Sequence, residues 1–210
     1  MYRESARKLY LPKFYGLQLF GAPGGGDDLR DMAQYEEFDA LFHGTLRAPQ
    51  QEVADAAFDR LHESGGGILQ LRCGFGKTIL ALHLMARLRV KVLVVVHKEF
   101  LLNQWRERIE EFLPTARVGL IQQSVVDTEG KDIVIAMLQS IAMKDYDASV
   151  FAGFGLSCFD ECHHLGAEVF SRALVKTSTR YMLGLSATPD RKDNLRKVFE
   201  WHLGLSLIHI

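Results

Sequence analysis

A lysine and a threonine that follow a glycine-containing turn form the first group of residues that could do chemistry. The stretch 69–82 reads LQLRCGFGKTILAL, in which an apolar run leads through a turn into a second apolar run of helical character. Gly74 and Gly76 leave room for backbone N–H groups to converge on phosphate oxygens. Lys77 can reach the β- and γ-phosphates of a nucleotide, and the Thr78 hydroxyl can bind Mg²⁺. The stretch therefore predicts a nucleotide site.

One position departs from the usual phosphate-binding pattern. That pattern, G-x-x-x-x-G-K-[ST], has glycine where this chain has Leu71. Taken alone, a glycine-rich turn in which Lys77 and Thr78 simply open a helix explains the stretch equally well. The choice between the two interpretations depends on other parts of the chain.

Two adjacent carboxylates form the second group. Asp160 and Glu161 follow the apolar run GLSCF. An acid at the tip of a strand can hold Mg²⁺, and a neighbouring carboxylate can orient and deprotonate an attacking water. The alternative is a pair that caps the next helix. Because the pair occurs together with the glycine loop, the catalytic interpretation is favoured, with Lys77, Asp160 and Glu161 as the catalytic residues.

The third group is a small polar cluster in the stretch LGLSATPDR (183–191). Ser186 and Thr188 stand at the end of an apolar run and are followed by Pro189, which restricts the backbone. Small hydroxyl residues at a strand tip suit a hydrogen-bond relay between a nucleotide site and another surface. By itself the stretch would be an ordinary turn.

The elements that must position these groups alternate along the chain. Amphipathic helices are predicted over 49–64 and over 99–114, and a β-branched strand over 91–97. Further short apolar runs read VGLIQ, DIVIAM, GLSCFDE and YMLGLSA. Continuous apolar strands that alternate with helices indicate an α/β fold, a parallel sheet with helices on both faces. In such a sheet, ligands bind beyond the carboxyl ends of the strands.

Together, the three groups carry a family resemblance. In order and spacing, GFGKT, DECH and SAT resemble motifs I, II and III of superfamily 2 helicases. The stretch VLVVVHKEFLLNQWRERIEEFLP is similar to motif Ia of XPB-like and phage or large-virus DNA helicases, and SATPDRKDNLRKVFEWHLG to their continuation after motif III. In that group leucine often stands at the position of Leu71. The resemblance spans residues 8–204 and implies a RecA-like P-loop NTPase lobe that uses ATP and Mg²⁺.

The resemblance also implies roles for single residues. Gln50 is similar to the glutamine that reads adenine, although such helicases more often carry an aromatic residue where this chain has Pro49. With Gly74, Gly76, Lys77 and Thr78 it completes the expected nucleotide-binding set, and Thr78 and Asp160 are the expected metal ligands. Ser186 and Thr188 would couple hydrolysis to strand binding. His163 and Gln139 would belong to the same network or to the strand-binding face.

Polar residues at the ends of two predicted strands are the candidates for nucleic-acid contact. They are His97, Lys98, Asn103, Gln139 and Ser140. At these positions a phosphate backbone can cross the edge of the sheet, where helicases bind phosphates with little reading of bases. The alternative for Lys98 and Asn103 is a solvated helix start. Lys91, Arg106 and Arg108 are expected on a solvated face. DNA is preferred to RNA on the resemblance alone.

The bulk composition argues against a polycationic nucleic-acid binder, a membrane-spanning protein and a secreted, disulfide-rich protein. The 210 residues carry 25 basic and 26 acidic side chains, so nucleic-acid contact must come from a local patch. No apolar run approaches the roughly 18–20 residues that span a bilayer, and the start lacks the apolar centre of a signal peptide. Three cysteines, an odd number, favour a reducing intracellular compartment. The spacing of Cys158 and Cys162 invites a zinc interpretation, but no second ligand pair follows.

The expected organisation is an N-terminal arm (1–45), an ATP-binding lobe (46–204) and a truncated end (205–210) that does not resemble the family's continuation. The resemblance implies that the motor needs a second RecA-like lobe with arginine fingers, and we expect that lobe to lie outside these 210 residues. We therefore expect weak nucleotide binding, slow hydrolysis and no unwinding by the chain alone. Alternatives are a translocase or annealing motor that never unwinds, a nucleic-acid-binding module without turnover, and a small-molecule kinase, which leaves the second and third groups unexplained.

Overall fold

The computed structural model describes residues 3–4, 9–21, 35–161, 167–187 and 195–209. The strands are β1 (Arg3–Glu4), β2 (Leu9–Tyr10), β3 (Gly66–Gln70), β4 (Val92–Val96), β5 (Val118–Gln122), β6 (Val125–Asp127), β7 (Ile133–Met137), β8 (Leu156–Phe159), β9 (Tyr181–Ser186) and β10 (Ser206–His209). The helices are α1 (Lys13–Phe20), α2 (Ala48–Ser64), α3 (Lys77–Leu88), α4 (Glu99–Phe112), α5 (Leu138–Met143), α6 (Ala167–Lys176) and α7 (Leu195–Leu203), with a 3₁₀ turn at Ala148–Phe151.

An eight-stranded sheet forms the centre of the described residues, in the order β10-β3-β9-β8-β4-β7-β5-β6. Neighbouring strands are parallel except β5 and β6. Along β4, Val92, Val94 and Val96 point into one core, whereas Leu93 and Val95 point into a second. Helices α2, α3 and α4 cover the first face, and α5, α6 and α7 cover the second. This confirms the predicted α/β fold, since every central strand is buried on both sides.

Helix α4 follows the amphipathic pattern of its sequence. It begins directly after Lys98, whose backbone is extended, and ends before Pro114. Its buried residues recur at helical spacing on one face: Leu101, Leu102, Trp105 and Ile109. Fully burying a large apolar side chain contributes about 1.5–3 kcal/mol, so this face fixes α4 against the sheet.

The packed lobe uses residues on both sides of the predicted 46–204 unit. Phe38 and Ala40 are buried in the first core, the one that Val92, Val94 and Val96 of β4 face. At the other end, β10 pairs in parallel with β3, and the Leu207 side chain occupies the space where Gly67 has no side chain. The segment that the sequence set apart as a truncated end therefore adds a strand to the sheet.

The described part of the N-terminal arm also packs on the lobe. The Nζ of Lys13 donates hydrogen bonds to the carbonyl oxygens of Gly65 (2.7 Å) and Arg180 (2.5 Å). Tyr15 lies against Trp201 of α7, with ring centroids 5.0 Å apart. Among the described residues no helix is both long and apolar enough to cross a membrane.

Candidate nucleotide site and strand-end surface

The phosphate loop (residues 71–76) joins the end of β3 to the start of α3. Its first residue, Leu71, is fully buried in the core, and its N–H donates a hydrogen bond to the Ser186 carbonyl oxygen (3.1 Å). This bond continues the pairing of β3 with β9 by one residue. The leucine is thus accommodated because the chain is still strand-like at this position, and the third sequence group is held beside the first.

Two glycines give the phosphate loop its shape. Gly74 has φ +79° and Gly76 has φ +99°, in the left-handed region that side chains disfavour. Gly76 immediately precedes Lys77, and a Cβ on it would lie 2.6 Å from the Nε2 of Gln50. At Gly74, no atom of the described part of the chain lies within 4 Å of the Cβ position. Gly76 is therefore required by both conformation and close approach, Gly74 by conformation.

Gln50 fastens the phosphate loop to the start of α2. Its buried amide Nε2 donates to the Phe75 carbonyl oxygen (2.7 Å), and its Oε1 accepts from the backbone N–H of Arg47 (3.0 Å). The Arg47 guanidinium also donates to the Phe75 carbonyl oxygen (3.1 Å). An open cavity of about 330 Å³ adjoins these groups, and it is lined by Arg47, Pro49, Gln50, Arg72, Cys73, Gly74 and Phe75. Gln50 thus shapes the loop and stands at the edge of a space beside it.

Lys77 brings the phosphate loop and the carboxylate pair together. Its Nζ lies 3.4 Å from the Leu71 carbonyl oxygen and 3.9 Å from the Glu161 Oε1. Both side chains are largely shielded, so their attraction is screened less than that of a surface pair. Glu161 has φ +49°, a left-handed backbone that non-glycine residues rarely adopt and that clusters at functional sites.

Asp160 lies at the tip of β8 and is 6% exposed. Its Oδ2 accepts a hydrogen bond from the indole Nε1 of Trp105 (2.8 Å), and its Oδ1 accepts from the Glu161 backbone N–H (3.0 Å). Burial raises the pKa of Asp160 above its ordinary value, against these two hydrogen bonds and the nearby charge of Lys77. The carboxylate thus has a fixed orientation in a sheltered position.

The donor set at this place suits magnesium. Asp160 offers carboxylate oxygens, and Thr78, the second residue of α3, offers a hydroxyl oxygen. Hard oxygen donors of this kind are the ones Mg²⁺ prefers, and it usually binds few protein groups and keeps several waters.

Trp105 is the residue of this site that the sequence analysis missed. It stands on the buried face of α4, where its phase in the helix predicts core packing. A buried indole needs a partner for its N–H, and that requirement was the available signal. Its partner is 55 residues further along the chain, beyond the reach of a local pattern.

The strand-end surface (His97, Lys98, Asn103 and Gln139) is assembled from the two predicted stretches. Strands β4 and β7 are neighbours, and the Gln139 Nε2 donates to the His97 carbonyl oxygen (3.0 Å). Lys98, Asn103 and Gln139 are exposed. His97 is half-buried, and both of its ring nitrogens are shielded from solvent. Three of the five residues expected to contact nucleic acid are therefore exposed, and the fourth, His97, holds Gln139 through its backbone.

Ser140 does not fit the contact expected of it. It is 8% exposed, and its hydroxyl oxygen accepts a hydrogen bond from the Gln123 backbone N–H (2.8 Å). Gln123 has φ +53° at the turn between β5 and β6, so Ser140 holds that turn instead. The serine type and position suggested an exposed strand end, but α5 begins at Leu138 and turns the side chain inward.

Lys91 corrects a second expectation. It was predicted on a solvated face but is 3% exposed, and its Nζ pairs with the Glu36 Oε1 (2.7 Å). The ammonium also lies 5.2 Å from the centroid of the Phe154 ring. Residues 35–38, which precede the predicted lobe, supply the carboxylate, and therefore the lobe sequence alone did not reveal this pair.

The remaining predicted residues are Ser186, Thr188 and His163, together with the two cysteines of the zinc interpretation. Ser186 is buried at the end of β9, next to the start of the phosphate loop. His163, Thr188 and Cys162 lie outside the described residues. Cys158 is buried within β8.

Comparison with known proteins identifies a matching family and similar viral proteins. Residues 43–191 match the family described as type III restriction enzyme, res subunit. The chain is 36% identical, over its whole length, to 40% of a protein assigned as an ATP-dependent RNA helicase in Acanthamoeba polyphaga mimivirus. It is 29% identical, over 98% of its length, to 64% of a protein assigned as a helicase in Invertebrate iridescent virus 3. The chain thus spans about half the length of these relatives.

Solved structures share the fold at low sequence identity. The UvsW helicase from bacteriophage T4 superposes with a TM-score of 0.68 at 18% identity, over 96% of this chain and 80% of that one. The Sulfolobus solfataricus SWI2/SNF2 ATPase core in complex with double-stranded DNA gives a TM-score of 0.66 at 18% identity, over 79% of this chain and 37% of that one.

Proposed function

The chain belongs to the family of the type III restriction enzyme res subunit and has the fold of the first RecA-like lobe of superfamily 2 helicases, and we propose that it is the ATP-binding half of a nucleic-acid helicase or translocase. The observation that carries the proposal is the position of Lys77 between the phosphate loop and the Glu161 carboxylate. Residues 46–204 are the nucleotide-binding unit in this proposal, and residues 35–45 and 206–209 complete its packing.

In the proposed mechanism, the phosphate loop binds the nucleotide phosphates through backbone N–H groups and the N-terminus of α3. Lys77 leaves the Leu71 carbonyl oxygen and binds the β- and γ-phosphates. Thr78 and Asp160 would hold Mg²⁺, which neutralises charge on the phosphates when bound. Glu161 orients the attacking water and accepts a proton from it, as the water oxygen bonds to the γ-phosphorus and the bond from that phosphorus to the leaving ADP oxygen breaks. Gln50 positions the loop beside the adenine.

The strand-end surface binds the phosphate backbone of the nucleic acid in this proposal. Lys98 supplies the charge, and the polar side chains of Asn103 and Gln139 supply hydrogen bonds without reading bases. Ser186, together with Thr188 and His163, links this surface to the nucleotide. We place DNA ahead of RNA because motif Ia resembles that of XPB-like and phage DNA helicases. An intracellular, reducing location fits a phosphate loop that carries the exposed free thiol of Cys73.

A second RecA-like lobe is the partner that the proposed motor needs. Arginine fingers that stabilise a transferring phosphoryl group increase rates by about 10³–10⁵ in related systems. This chain alone should therefore bind Mg-nucleotide but hydrolyse it slowly.

ATP turnover by the 210-residue chain, with and without single-stranded DNA or RNA, tests the proposal. We expect slow turnover that Lys77→Ala and Glu161→Gln both reduce further, since each removes a group of the proposed reaction. Turnover that is unaffected by either substitution would show that the loop and carboxylate pair are not the site. Strong strand-stimulated turnover lost in both variants would mean that the chain works without a second lobe.

A further inference from the structure

A buried hydrogen bond connects α4 to the carboxylate proposed to hold magnesium. Trp105 is 1% exposed, and its indole N–H donates to the Oδ2 of Asp160 at 2.8 Å. Asp160 lies at the tip of β8, whereas α4 follows the neighbouring strand β4. The bond therefore joins two elements that meet only in the folded lobe.

The partner of this indole sets it apart from an ordinary packed tryptophan. The other oxygen of the same carboxylate, Oδ1, accepts from the Glu161 backbone N–H at 3.0 Å. With one N–H donor on each oxygen, rotation of the Asp160 carboxylate is restricted. A carboxylate oxygen can accept about two hydrogen bonds, so each oxygen still has a lone pair for metal-bound water.

Helix α4 has an exposed polar side and a buried apolar side. Lys98 immediately precedes the helix, and Asn103 is exposed on its first turns, both within the strand-end surface. Two residues after Asn103, Trp105 points into the core with Leu102 and Ile109. A shift of α4 caused by a bound strand would therefore move the indole relative to Asp160.

We propose that Trp105 is a positioning residue, whose indole N–H orients the Asp160 carboxylate for the magnesium shell and connects that shell to the strand-end surface through α4. This inference rests on the proposed function. It assigns Trp105 an effect on magnesium and on the coupling between nucleotide and strand, beyond its contribution to packing. Partners of metal ligands typically change metal affinity by about 10–100-fold when they are removed.

The first test compares Trp105→Phe with Trp201→Phe, the matched control at the only other tryptophan of the sequence, which packs on Tyr15. Binding of a fluorescent ATP analogue is measured over a series of Mg²⁺ concentrations and also without metal. In Trp105→Phe we expect the Mg²⁺ concentration for half-maximal binding to rise about tenfold or more, with metal-free binding unchanged. Equal Mg²⁺ dependence in the two variants would overturn the inference. It would also be overturned if Trp105→Phe lost as much binding without metal as it loses with Mg²⁺.

A second variant separates the N–H from the ring shape. Benzothienylalanine at position 105 keeps the bicyclic ring and replaces the N–H by sulfur. We expect it to reproduce the Mg²⁺ effect of Trp105→Phe at near wild-type stability. Wild-type Mg²⁺ dependence in this variant would overturn the inference, because packing alone would then explain Trp105.

The coupling is measured as the affinity for a single-stranded oligonucleotide with and without Mg-nucleotide. In the wild-type chain we expect the two affinities to differ, and in Trp105→Phe we expect their ratio to move toward one, since coupling between sites is reciprocal. A ratio unchanged by the substitution would refute the connection through α4. Absence of any nucleotide binding by the wild-type chain would instead refute the proposed function, and the inference with it.

Discussion

Adding one methyl group at Gly76 tests the geometry of the phosphate loop. Gly76 has φ +99°, and a Cβ at this position would lie 2.6 Å from the Nε2 of Gln50. That nitrogen donates the 2.7 Å hydrogen bond to Phe75 that fastens the loop. Gly76→Ala must therefore strain the backbone and also displace Gln50. Gly74→Ala is the matched control, because φ is also positive there but the described residues leave the Cβ position open.

The two costs have different magnitudes. A side chain in the left-handed region costs about 1–2 kcal/mol, which both variants incur. Loss of the Gln50–Phe75 hydrogen bond adds about 0.5–1.5 kcal/mol in Gly76→Ala alone. We therefore expect the free energy of unfolding to fall by about 1–2 kcal/mol in Gly74→Ala and by about 1.5–3.5 kcal/mol in Gly76→Ala.

Chemical denaturation of the nucleotide-free chain measures both values, and Gln50→Ala completes a double-mutant cycle. In the Gln50→Ala background the clash is absent, so Gly76→Ala should cost only what Gly74→Ala costs. The interaction free energy of the cycle should then differ from zero by the value of the lost hydrogen bond. Equal costs of the two alanines in the wild-type background, or strict additivity in the cycle, would refute this account of the loop.

Two further predictions concern charge and contact. Asp132 accepts three hydrogen bonds from Arg117. Burial raises the pKa of the Asp132 carboxyl, but these hydrogen bonds lower it by more, so that the pKa lies below its ordinary value of 3.8. Its contribution to stability is thus fully present above pH 3.8 and is lost as pH falls through the lower folded-state pKa, so Asp132→Asn should flatten the acid limb of unfolding free energy against pH. Lys98→Ala should weaken oligonucleotide binding and lower the salt slope by about one, whereas Ser140→Ala should change neither, because its hydroxyl is bound to Gln123. A pH profile unchanged in Asp132→Asn, or a Ser140→Ala variant as weak as Lys98→Ala, would contradict these assignments.

The sheet and the phosphate loop were predictable because the sequence states them locally. The β-branched run at 91–97 and the periodic apolar positions of 49–64 and 99–114 have the spacing of a strand and two helices, and the structure has them there. Glycines before Lys77 predict a phosphate-binding loop without side chains in the way, and the structure has such a loop, with positive φ at Gly74 and Gly76. Local patterns of this kind depend on neighbours within a few residues.

What the sequence did not reveal depends on distant partners. The indole of Trp105 and the carboxylate of Asp160 meet because β8 and β4 are adjacent, which no spacing along the chain states. Lys91 is buried because Glu36 arrives from a segment before the lobe. Ser140 is buried, and its hydroxyl oxygen accepts a hydrogen bond from the Gln123 N–H in the turn between β5 and β6. Lys91 and Ser140 were expected at the surface from their residue type, and Trp105 had no expected role, whereas a tertiary partner determines the position of all three.

Equilibrium binding of Mg-nucleotide to the 210-residue chain tests the central claim most directly. The comparison is between the wild-type chain, Lys77→Ala, and Lys197→Ala, which removes an exposed lysine of α7 as the matched control. If the phosphate loop and the carboxylate pair form a nucleotide site, the wild-type chain and Lys197→Ala should bind with equal affinity, and Lys77→Ala should lose binding. Equal binding by all three proteins, or no binding by the wild-type chain, would contradict the account.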